Sequence, residues 1–127
     1  MKKDLESLLE LGWAYWKSQV IFAGVELGVF ELLKEKGTES VEIAIRLGTD
    51  PRATEMLLNA LVGLKLLSKK AERYQNAPIA SQYLVKGTPV YQGNRIHHLH
   101  NLWQRWERLQ EAIRTGRSVL DEKEGER

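Results

Sequence analysis

The chain has 127 residues, 43% hydrophobic and 28% charged, which fits a single ordinary globular domain. Its 19 Lys and Arg against 17 Asp and Glu leave a formal +2, too small a surplus to imply a nucleic-acid or membrane partner. It has no cysteine, which removes disulfides, zinc–thiolate sites and thiol catalysis.

The opening Met1-Lys2-Lys3-Asp4 is not followed by the apolar run and small-residue cleavage site of a signal peptide. No later apolar stretch reaches the roughly 18 residues of a membrane span, so a cytoplasmic protein is expected. From residue 5 to residue 34, Leu5, Leu8, Leu9, Gly12, Trp13, Trp16 and Val20 recur at helical spacing, continued by Phe22, Val25, Leu27, Val29, Phe30 and Leu33. Such a run is too long for one uncapped helix. Two or three helices are expected, with breaks near Lys17-Ser18 and Gly28 and a stop at Gly37 behind Lys34 and Lys36.

A short helix is predicted from about Ser40 to Leu47, closed by Gly48. Thr49-Asp50-Pro51 then marks a helix start: Asp50 accepts from free amides, and Pro51 takes the first helical position, where no N–H is needed. That helix is expected to bury Met56, Leu57, Ala60, Leu61 and Leu64. The two helices and their tight turn make a helix-turn-helix. Leu66-Leu67-Ser68 and Arg73-Tyr74-Gln75, around the polar Lys69-Lys70-Ala71-Glu72, predict a β-hairpin wing. Asn76 is placed as the cap of a helix through about Leu84, with Ile79, Tyr83 and Leu84 inward, broken at Gly87-Thr88-Pro89. A long last helix is expected from about Tyr91 to Thr115, with Ile96, Leu99, Leu102, Trp103, Trp106, Leu109 and Ile113 on one stripe and Gly116 as its stop. Asp121 to Arg127 reads as a charged, unstructured tail.

The fold expected is therefore mainly α: a winged helix-turn-helix core with a small β-hairpin, flanked by long N- and C-terminal helices. The order of its signals resembles the N-terminal dimerisation domain of the S-adenosylmethionine (SAM)-dependent O-methyltransferases, the plant caffeate-type enzymes and their bacterial relatives. The residues that carry the resemblance are Ala23-Gly24-Val25-Glu26-Leu27-Gly28-Val29-Phe30-Glu31-Leu32-Leu33, Asp50-Pro51-Arg52-Ala53-Thr54 and Leu57 to Leu64. Arg73-Tyr74, Tyr83-Leu84-Val85, Trp106 to Leu109 and Arg114-Thr115-Gly116 follow in the family's order.

The resemblance implies a dimerisation domain over residues 1–118 and a tail, 119–127, leading to a catalytic domain not contained in the chain. It implies homodimerisation, SAM as the cofactor of the intact enzyme, and a small hydroxylated acceptor. There are 10 glycines but no Gly-x-Gly, so no cofactor-binding loop is expected here. The family's histidine base belongs to the other domain, so no catalytic residue is assigned in this chain. The resemblance also places Ile96, His97, His100, Asn101 and Trp103 along the acceptor pocket.

His97 and His100 share a helix face, but neither cysteine nor aspartate lies within a turn, leaving too few ligands for a metal. Leu8, Leu11, Trp13, Tyr15 and Trp16 cannot all lie on one face of a helix, and a helix apolar on several sides needs several partners. Leu8, Leu9, Trp13, Trp16, Val20, Phe30 and Trp106 are accordingly expected at a dimer interface, the alternative for the aromatics being core packing. A winged-helix DNA-binding regulator is a rival class, carried by Lys69, Lys70 and Arg73 of the wing. Its weakness is the recognition helix, where only Arg52, Thr54, Glu55 and Asn59 are available to read bases. A stand-alone small-molecule-binding adaptor is the third class.

Overall fold

A computed structural model describes residues 2–119. The expected tail from Asp121 to Arg127 lies outside the described residues. Helix α1 (Lys2–Trp13) leads into α2 (Tyr15–Leu27), and α3 (Val29–Leu32) follows. The first break falls at Ala14 rather than at Lys17-Ser18, which carry neither glycine nor proline, and it is slight because Ala14 keeps helical dihedrals. The second falls at Gly28 as expected. Its φ of +86° lets its N–H reach the carbonyls of Gly24 and Val25, a turn that a residue with a Cβ makes only under strain. Gly37 does not end a helix, because α3 already stops at Leu32. Instead the residue lets the chain pass close to the sheet, where an added Cβ would lie 3.3 Å from the Arg73 Cβ and 3.5 Å from the Tyr74 carbonyl oxygen.

The winged-helix centre follows. Strand β1 (Thr38–Glu39) enters α4 (Ser40–Leu47), which closes at left-handed Gly48. Helix α5 (Pro51–Gly63) starts as its sequence demands: the Asp50 carboxylate accepts from the Ala53 amide at 2.8 Å, with Pro51 in the first turn. It ends in a Schellman motif, with the Leu66 N–H on the Leu61 carbonyl and the Lys65 N–H on that of Val62. The buried stripe of α5 is Thr54, Leu58 and Leu61, with Met56 exposed rather than inward. The contiguous apolar residues from Met56 to Leu58 are compatible with either stripe. Thr54 tolerates burial because its hydroxyl bonds that of Thr49 at 2.5 Å.

Strands β2 (Leu67–Lys70) and β3 (Arg73–Asn76) form the wing, joined through Ala71 and Glu72, both at positive φ as a two-residue hairpin turn requires. β3 is central, pairing antiparallel with β2 (Lys69 opposite Tyr74) and with β1 (Thr38 opposite Tyr74). Asn76 is not a helix cap. It sits in β3 and donates through Nδ2 to the Phe30 carbonyl at 2.9 Å, tying the sheet to α3, while Ala77 and Pro78 begin α6 (Pro78–Tyr83). Ala80, not Ile79, faces inward, and Ile79 is half exposed. Val29, Phe30, Leu33, Ile43, Leu58, Leu61, Leu67, Tyr74, Ala80 and Leu84 make one core, joined by the helices and the wing together.

The last helical region is segmented rather than continuous: α7 (Gly93–Asn101), α8 (Trp103–Trp106) and α9 (Leu109–Thr115). Three-residue hydrogen bonds, Arg105 to Leu102 and Arg108 to Arg105, both 3.0 Å, tighten the chain at the two interruptions. Gly116, at φ +68°, caps the end.

Candidate functional site

Two features stand apart from the core. The first is an apolar surface left exposed among the described residues. No residue of α1 is buried. Leu8 is 64% and Leu11 79% exposed, and Leu5 and Leu9 also face solvent. Beyond α1 the apolar surface continues into α2, where the Trp13 and Trp16 rings stack at 5.4 Å and Tyr15 meets Trp16 edge-on at 6.2 Å. Trp106, Leu109 and Ile113 add exposed apolar area on α8 and α9.

Of the residues expected at an interface, Leu8, Leu9, Trp13, Trp16 and Trp106 are thus on the surface. Val20 is half-buried against the core. Phe30 is 1% exposed and belongs to the core of the protomer, which leaves it no surface to give to a second chain. Its periodicity could not separate these roles, since an apolar stripe looks the same whether its own fold or a partner covers it.

The second feature is the junction of α2 with α7. Ile96 packs against the core from α7. One turn further on, Phe22 of α2 lies 4.9 Å from the His100 ring and 6.3 Å from Trp103, which Tyr15 also approaches at 6.2 Å. The Trp103 indole N–H donates to Glu107 at 3.2 Å. His100, Asn101, Trp103, Gln104 and Glu107 line an open cleft of about 390 Å3. Of the five residues expected in a pocket, three line this cleft: His100, Asn101 and Trp103. His97 lies on the adjoining turn, and Ile96 faces the core side.

Glu26, which sequence reasoning did not single out as a site residue, completes this junction. Its Oε1 bonds the Nδ1 of His97 and lies 3.3 Å from the Nδ1 of His100. These hydrogen bonds, the His97 one foremost, hold the Glu26 carboxyl below its ordinary range against a partly opposing desolvation. The signal in the sequence is slight: one acidic residue, three before the core-bound Val29, in an otherwise apolar run. Among the described residues no group of three histidine or acidic side chains is arranged to hold a metal ion.

The wing places two of its cations, Lys69 and Arg73, in local pairs. Lys69 lies 5.1 Å over the Tyr74 ring and 3.8 Å from Glu72, and Arg73 lies 3.8 Å from Glu39. Asn59, counted among the base-reading candidates, accepts the Tyr74 hydroxyl at 2.5 Å. Nor do the described residues fit SAM. The sheet is small and antiparallel, and the sequence lacks a glycine-rich strand-to-helix loop to approach a nucleotide.

A winged-helix centre carrying unpartnered apolar helices defines a helical association domain. The particular kind follows from residues 9–86, which match the O-methyltransferase dimerisation domain, and the chain belongs to that family. Acetylserotonin O-methyltransferase of Bos taurus is 40% identical over 118 residues, covering 87% of this chain and 34% of that protein. The 3-hydroxy-5-methyl-1-naphthoate 3-O-methyltransferase of Streptomyces sahachiroi is 38% identical over 109 residues, or 85% of this chain and 32% of that protein. The crystal structure of human N-acetylserotonin methyltransferase in complex with SAM superposes with a TM-score of 0.84 at 31% identity, over 90% of this chain and 35% of that one. The chain therefore spans about a third of the length of these relatives.

Proposed function

We propose that this dimerisation domain joins two identical copies through α1, the start of α2 and the α8–α9 stripe, and that it serves a cytoplasmic SAM-dependent O-methyltransferase. The observation that carries the pairing is α1 itself. A 12-residue helix is marginal in water on its own and draws its stability from packing an apolar face. Here, among the described residues, no residue of that helix is buried, while it presents four exposed leucines and ends at the Trp13–Tyr15–Trp16 ring cluster. A contiguous apolar surface of this kind marks an interaction site, and stacked tryptophans suit one, offering large apolar area with a polar edge. Self-association is favoured over a foreign partner because the family is defined by dimerisation.

In the whole enzyme the α2–α7 junction forms part of the wall of the acceptor pocket, with His97, His100, Asn101 and Trp103 toward the ligand and Ile96 behind them. The acceptor is a small molecule whose hydroxyl oxygen receives the methyl group, the O-methyl transfer for which both relatives above are named. SAM supplies that methyl group when bound elsewhere in the enzyme, since the residues here do not fit it. The role of this chain is to bring two protomers together and to shape one side of the site.

Sedimentation equilibrium from low to high micromolar concentration tests the pairing. The expected result is one species at twice the 14.6 kDa of the chain. A monomer throughout that range overturns the proposal.

A further inference from the structure

The junction of α2 with α7 holds a carboxylate facing two imidazoles, and the chemistry of that contact fixes more than packing. An ionised carboxylate carries no proton, so it only accepts, and each Nδ1 that bonds it must be the donor. A neutral imidazole has one N–H. Committing that proton to Nδ1 leaves Nε2 with a bare lone pair. Free histidine side chains in water favour the opposite tautomer, so the arrangement runs against their intrinsic preference.

From this geometry we infer that Glu26 is a positioning residue, locking His97 and His100 as Nδ1–H tautomers so that Nε2 of His100 serves as the hydrogen-bond acceptor at the cleft for a hydroxyl-bearing aromatic ligand. The inference rests on the acceptor-wall reading for its ligand, but the tautomer itself does not depend on that reading. Several observations converge on it. His100 lines the cleft, and its Nδ1 is already engaged by Glu26, so Nε2 is the ring nitrogen left for a ligand. Phe22 also packs on the ring, centroid to centroid at 4.9 Å. Trp103 lines the same cleft and supplies an aromatic surface, with its own N–H directed to Glu107 rather than left for the ligand. About 390 Å3 is room for a ligand of one or two fused rings. The contact is also selective in principle: a site that accepts a hydroxyl proton loses its bond to a ligand lacking one.

The test uses the 127-residue chain labelled with nitrogen-15 at histidine, in mildly alkaline buffer. In the wild type, long-range proton–nitrogen spectra should show His97 and His100 protonated at Nδ1. In Glu26→Ala both rings should revert to mainly Nε2–H, with Glu26→Gln between the two, because its amide oxygen still accepts a hydrogen bond. Circular dichroism and the association state should be unchanged in both variants, since Glu26 is partly exposed at the surface. Binding of 1-naphthol, followed by tryptophan fluorescence, should weaken about threefold to tenfold in Glu26→Ala, the worth of one hydrogen bond. Binding of 1-methoxynaphthalene, which has no proton to donate, should be the same in the two proteins.

Nε2–H rings in the wild type, or tautomers that ignore the loss of Glu26, overturn the positioning role. Nδ1–H rings together with equal binding of naphthol and its methyl ether overturn the ligand assignment. If the wild type shows the Nδ1–H rings but neither compound binds, the assignment of the ligand to the His100 cleft is overturned while the role of Glu26 on the imidazoles stands.

Discussion

At Gly24 the absence of a side chain is what lets α2 lie against the core. A Cβ built there would sit 3.1 Å from Cε2 of Phe30 and 3.3 Å from Cδ1 of Leu61. Both neighbours are fully buried, so neither has free space to swing into. Alanine would add up to about 1 kcal/mol of helix propensity, yet overpacking a closed core costs about 1–3 kcal/mol. The clash wins, and Gly24→Ala should lower the melting temperature by a few degrees, about 4 °C for each kcal/mol in a domain of this size, as read by calorimetry. Glu26 sets a second expectation at this scale. Its carboxyl titrates below 4.5 in the folded chain, chiefly through the His97 hydrogen bond, so on acidification the unfolded chain takes up that proton first. The stabilising contribution is complete above 4.5 and disappears as pH falls through the lowered folded value. Melting curves between neutral and acid pH should therefore fall more steeply for the wild type than for Glu26→Gln. Parallel curves would remove the hydrogen bond from the account.

The elements that were legible in the sequence are those whose cause is local. Gly48 and the Asp50-Pro51 start need only a few neighbouring residues, and the end of α4 and the start of α5 lie where those residues put them. Asp50→Ala should cost about 1 kcal/mol, because an exposed N-terminal amide loses its side-chain acceptor. Asp50→Ser should recover most of that loss in urea titrations. Features with distant causes were hidden. β1 is two residues long and exists because β3, more than 30 positions on, accepts it. The Glu26–His97 contact spans 71 positions. Asn76 looked like a helix cap because asparagine favours that role, but the Phe30 carbonyl, 46 positions back, claims its amide. The last helix looked continuous because its apolar residues keep one period across both interruptions, and a tightened turn leaves that period nearly intact. The pocket candidates came from resemblance alone, and the clustering of three of them at one cleft could not be read from the sequence, since clustering depends on how α7 docks against α2.

For the molecule as a whole, the question is what covers α1. Because none of its residues is buried in the protomer, a charge placed on it should leave the winged-helix core untouched and act on association alone. Core and interface can thus be separated by mutation, a separation that Phe30 does not allow. Leu8→Glu puts a carboxylate on a site that dimerisation would strip of water. Full burial of a leucine is worth about 1.5–3 kcal/mol, and burial of an unpaired charge opposes binding further. A two-fold interface presents the same surface from each copy, so the substitution counts twice. At about 1.4 kcal/mol per factor of ten, the dissociation constant should rise by at least a hundredfold. Sedimentation should then show a single 14.6 kDa species under conditions where the wild type is expected to pair. Val41→Glu serves as the control, since it charges a comparably exposed apolar residue on α4, an element outside the proposed face. It should leave the dimer intact. Equal loss of association in both variants would mean that the surface acts through general stickiness, whereas loss in Leu8→Glu alone places the interface on α1.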